Sequence, residues 1–90
     1  MSGVHDERAL VQIHRLARAG RVVVSRHAYE RMDERGAEET DVINALVTST
    51  AAIWQPARLT WRVTGGVDIE GDVLTVVVDI TADVVVVTLF

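Results

Sequence analysis

Cysteine is absent from the 90-residue sequence, which excludes disulfides and thiolate–metal sites. Lysine is absent too, so all nine basic residues are arginine. Every cation is therefore a planar fork, suited to carboxylates and phosphates. Aromatic residues are few: Tyr29, Trp54, Trp61 and Phe90. The core has to be aliphatic, and valine supplies most of it. No apolar run reaches the ~18 residues of a membrane span. The start, MSGVHDERAL, has no basic region followed by an apolar run and does not read as a signal peptide. These absences fit a cytoplasmic protein in a reducing compartment. The length makes one domain, 1–90, with a small core and a stability margin of about a few kcal/mol. Residues 1–5 read as frayed.

Charge is unevenly spread around a net value of −4. Residues 1–36 hold seven arginines against five acids, and residues 37–90 hold two against eight. A non-specific duplex binder is more basic than this. A compact phosphate site on the first part is still compatible with it.

Asp6 fits a helix cap. Leu10, Ile13, Leu16 and Ala17 then recur at helical spacing as far as Ala19, and Gly20 ends the run. Val22–Val24 is a brief strand or an extended link. Ser25 and Gly36 bracket a second helix. A third runs from Glu38 or Thr40 to Thr48, with Val42, Ile43, Leu46 and Val47 as its buried face. After Thr50 the period becomes two. Ala51–Trp54 reads as a short strand broken at Gln55-Pro56. Leu59, Trp61 and Val63 alternate with Thr60, Arg62 and Thr64, the pattern of a half-buried strand. Gly65-Gly66 marks its end or a bulge, and Glu70-Gly71-Asp72 is a turn. Val73–Ile80 and Val84–Phe90 form a hairpin across Thr81-Ala82-Asp83. The expected fold is α+β: two to three N-terminal helices packed on one face of a C-terminal antiparallel sheet of three to four strands. The last two strands read almost wholly apolar, the pattern of burial on both faces. A homodimer through the valine-rich sheet, or a partner protein, is expected to cover the face the helices leave free.

The densest chemistry lies in Ser25–Gly36, SRHAYERMDERG. On a helix, His27, Arg31 and Arg35 fall at i, i+4 and i+8 and form one ridge. Ala28 and Met32 form the adjoining core ridge, Tyr29 lies beside Met32, and Glu30, Asp33 and Glu34 fall outward. A neutral imidazole beside cations can serve as a general base. Arginines can hold a phosphodiester and stabilise charge in its transition state. Arg62 and Thr88 could complete such a site from the sheet. The same residues also have plain structural readings: a helix-start histidine, surface ion pairs, and an ordinary half-exposed strand. His5, Asp6 and His14 have no metal-site spacing. Asp68, Glu70 and Asp72 lack the ligand pattern of a calcium loop. No Gly-rich phosphate loop is present. No cofactor or metal is expected.

Ser25-Arg26-His27-Ala28, Arg31-Met32, Glu34-Arg35-Gly36 and Asp41-Val42, followed by Trp61-Arg62-Val63-Thr64-Gly65 and Val87-Thr88-Leu89-Phe90, resemble the bacterial family known as domain of unknown function 4258. The resemblance covers roughly residues 10–90. It implies a helix-then-sheet fold similar to the small ribonuclease toxins of the RelE, barnase and colicin type, whose members are sometimes paired with an antitoxin. Carried over residue by residue, it marks His27, Arg31, Arg35, Arg62 and Thr88. The expected site takes His27, Arg31 and Arg62 as catalytic and Arg35, Thr88 and Tyr29 as substrate-binding. The implied function is a toxin-type, metal-independent endoribonuclease in which an RNA 2′-hydroxyl attacks the adjacent phosphate. The alternative expectation is a non-catalytic interaction or dimerisation domain of the same fold. If His27, Arg31 and Arg62 share one cleft, the catalytic reading gains; if Arg62 lies on the far face, it loses most of its support.

Overall fold

The computed structural model describes residues 4–90. Helix α1 spans Glu7–Arg18. The Asp6 carboxylate accepts from the Ala9 amide at 3.0 Å, and Ala9, Leu10, Ile13 and Ala17 are buried. Strand β1 (Val22–Val24) follows, then α2 (Arg26–Arg35) and α3 (Glu39–Thr48). The sheet is completed by β2 (Ala51–Gln55), β3 (Thr60–Thr64), β4 (Val76–Ile80) and β5 (Val84–Leu89). Its order is β1-β5-β4-β3-β2. No helix among the described residues is long and apolar enough to cross a membrane.

The fold is α+β, with more strands than the sequence pattern suggests. The sheet is five-stranded and mixed, because β1 pairs in parallel with β5. Three valines are too few to announce a strand, but the outer edge of β5 offers them a full set of partners. Val84 N–H donates to Arg21 O, and Ser25 N–H donates to Val86 O, both at 3.0 Å. The other three pairings are antiparallel.

Three local expectations are corrected. Leu59 does not open the buried face of β3: it is 67% exposed with φ 55, because the turn after Gln55 runs on to it and the strand starts at Thr60. Val73 does not begin β4 either. It is 65% exposed and makes only an isolated bridge to Val67, and the ladder starts at Val76. His5, read as frayed, bridges Ile53, and its Nδ1 accepts from the Ala52 amide at 3.1 Å. The rest of that frayed reading, residues 1–3, lies outside the described residues.

One face of the sheet carries the core. Ala52, Val63, Val76, Val78, Val84, Val86 and Leu89 join Ile13, Ala28, Met32, Val42 and Leu46 in a single cluster, with Trp61 packed against it. Fully burying one such aliphatic side chain stabilises by about 1.5–3 kcal/mol. Trp54 and Trp61 close the β2 end with ring centroids 4.9 Å apart and planes tilted by 56°, a favoured aromatic geometry. A bulge sets the facing of β5. Val77 pairs with Thr88 but Val78 pairs with Val86, so Val87 is an extra residue. The bulge shifts the alternation: Val86 and Leu89 both enter the core, and Thr88 points to the opposite face.

Candidate functional site

Helix α2 is set by its two ends. Ser25 Oγ accepts from the Ala28 amide at 3.1 Å and donates to the Val87 carbonyl at 3.1 Å, so the cap also grips the bulge. Gly36 stops the helix in the left-handed region at φ 72. Ala28 and Met32 point into the core. The ridge His27–Arg31–Arg35 therefore borders the buried stripe, as its spacing predicts, and Glu30, Asp33 and Glu34 are exposed.

The guanidinium groups on that ridge are already engaged. Arg31 Nη1 donates to Glu34 Oε2 at 3.0 Å, and its Nε donates to the Leu89 carbonyl at 3.4 Å. Arg35 Nη2 donates to the Val73 carbonyl at 2.7 Å. Both arginines tie α2 to the end of β5 and to the segment before β4. Together with Glu34, Leu89 and Phe90 they line an open concavity of about 230 Å³. His27 does not line it. Its side chain is exposed and makes no hydrogen bond or ion pair among the described residues. Tyr29 is exposed as well, and its hydroxyl donates to a Glu39 carboxylate oxygen, linking α2 to α3. That hydrogen bond, with smaller contributions from burial and from the Glu39 charge, raises the Tyr29 phenol above its usual value.

Arg62 lies elsewhere. It alternates with Trp61 and Val63, which belong to the helix-covered side, so its side chain projects from the opposite face. There it sits in a cross-strand row: Ile53 on β2, Arg62 on β3, Val77 on β4 and Thr88 on β5. Arg62 and Thr88 thus share a face, roughly 10 Å apart across two strand spacings. Val77 is only 6% exposed, yet it stands outside the core cluster. Arg62 Nε is buried with no hydrogen-bond partner. A donor left in that state costs about 1–3 kcal/mol.

The six nominated residues form two groups. Arg31 and Arg35 meet beside Phe90, and Arg62 and Thr88 share the helix-free face with Val77 between them. His27 and Tyr29 join neither group, and no hydrogen bond or ion pair among the described residues connects Arg62 with the α2 ridge. Among the described residues, no three His, Cys, Asp or Glu side chains are grouped so as to hold a metal. His14 serves α1 instead, its Nε2 lying 2.9 Å from the Ser49 carbonyl.

Sequence reasoning missed three residues that shape the helix-free face. Val77 reads as one valine among many. Asp79 falls inside the expected strand Val73–Ile80, and its pairing with Val85 puts its charge on the helix-free face. The Val87 bulge has no glycine or proline to announce it. No curated protein and no solved structure matches the chain. The sequence pattern of one family matches residues 24–90, leaving α1 outside the match. By that match, the chain belongs to the family described as Domain of unknown function (DUF4258).

Proposed function

We propose that this chain is a non-catalytic interaction domain that forms a homodimer through its helix-free sheet face. One observation carries the reading: that face presents Val23, Ile53 and Val85 around a buried Val77 and an arginine whose Nε has no acceptor, and no helix covers it. Val23 on that face is 48% exposed. A sheet face of this kind favours a partner that removes apolar area from water and brings an acceptor to Arg62. The α2 arginines have structural partners, which fits a role in holding the fold. The test is light scattering on the eluted protein. The wild type is expected to run as a dimer and Val85→Lys as a folded monomer. Identical masses for both would contradict the reading.

A second reading, the toxin-type endoribonuclease with an antitoxin partner, is favoured by Arg62 and Thr88 standing on one open face with an unused donor. In that reading, Arg62 and Thr88 bind the scissile phosphate while the 2′-oxygen bonds to phosphorus, the bond to the 5′-oxygen breaks, and a 2′,3′-cyclic phosphate and a 5′-hydroxyl protonated from water result. The proton acceptor would be His27, which projects from α2 and makes no contact with that face. Cleavage of RNA by the wild type, lost in Arg62→Ala and His27→Ala, would establish it. Absence of cleavage under all conditions would remove it.

A further inference from the structure

We infer that the two faces of the dimer are registered by reciprocal ion pairs between Arg62 of each copy and Asp79 of the other. The inference rests on the interaction reading above and names the contact that fixes its geometry. Arg62 lies opposite Val77, and Asp79 follows two residues further along β4. Both side chains therefore project from the helix-free face, with the diagonal spacing of roughly 7–8 Å between backbones. They are the single cation and the single anion that the five strands place on that face.

Within one copy they do not pair. Neither takes part in any ion pair among the described residues. Arg62 Nε is buried without an acceptor. Asp79 is exposed, and one of its oxygens accepts from the Ile80 amide at 2.8 Å. The second oxygen has no partner among the described residues. A two-fold axis running between the facing sheets, and crossing midway between the two residues, lays Arg62 of one copy over Asp79 of the other. The symmetry then repeats the pair. An axis through Arg62 itself would oppose two like charges, so the charges select the register. Ile53, Val77 and Val85 border the pair with apolar surface, which shields it from water and strengthens it.

A charge-swap mixing experiment tests this. Asp79→Arg and Arg62→Asp are purified separately, checked for folding by circular dichroism, and sedimented alone and as an equimolar mixture. Each alone opposes like charges across the interface and is expected to raise the dimer Kd by about tenfold or more. In the mixture every pair is again opposite in sign, and the Kd is expected to return to within about threefold of wild type. If Arg62→Asp does not fold, Arg62→Met and Asp79→Asn replace the swap: each weakens the dimer, and the double variant is no weaker than either single one. Variants that dimerise like wild type, or a mixture that stays monomeric, overturn the pairing and leave the dimer standing. A monomeric wild type overturns both.

Discussion

Gly66 shows how closely two backbones can be brought together. A Cβ added there would lie 1.9 Å from the Ala45 carbonyl oxygen, so α3 rests directly on the chain leaving β3. Backbone cannot swing aside as a long side chain can. Gly66→Ala is expected to lower the unfolding free energy by about 2–3 kcal/mol, measured by urea titration. A loss below about 0.5 kcal/mol, the range of a neutral surface change, would contradict the close approach. Tyr29 makes a pH-dependent contact. Its phenol is raised in the folded state by the Glu39 hydrogen bond, so its folded value exceeds its unfolded one. The stabilisation is therefore fully present below the unfolded value near pH 10 and is lost as pH rises through the raised folded value. The stability gap between wild type and Tyr29→Phe is expected to be constant up to about pH 10 and to close above it. A gap unchanged at higher pH would refute the contact.

Individual elements show which parts of the fold were legible. The caps were: Asp6, Ser25, Gly20 and Gly36 stand at the helix ends that their chemistry predicts. Ser25→Ala removes both the cap and the hydroxyl that holds the Val87 carbonyl. A loss of about 1–2 kcal/mol is expected from urea unfolding, and an unchanged midpoint would show that the cap is idle. Less legible was β1, since three valines become a strand only through the distant edge of β5. The bulge at Val87 was invisible, because its cause is tertiary: it lets Val86 and Leu89 share the core while α2 starts against the Val87 carbonyl. Strict alternation would have placed Thr88 with Val86. The ridge His27–Arg31–Arg35 was legible as a ridge, but its partners were not. Carbonyls of Leu89 and Val73 that engage Arg31 and Arg35 come from residues 58 and 38 positions away, beyond the reach of local pattern.

At the scale of the whole molecule, the decisive feature is that the helices bury one sheet face and leave the other to Ile53, Arg62, Val77, Thr88, Val85 and Val23. Within β3 the alternation of Trp61 and Val63 with Arg62 was legible in the sequence, although Leu59 was not part of it, and it sends Arg62 away from α2. That separation weakens an RNA-cleaving site built from His27, Arg31 and Arg62, and it favours a role for the helix-free face. The net charge of −4 points the same way, since an RNA-binding surface gains affinity from cations. The most direct measurement is sedimentation equilibrium of the wild-type protein over a range of concentrations. A reversible approach to twice the 9.9 kDa chain mass is expected. A mass that stays at one chain throughout would contradict it.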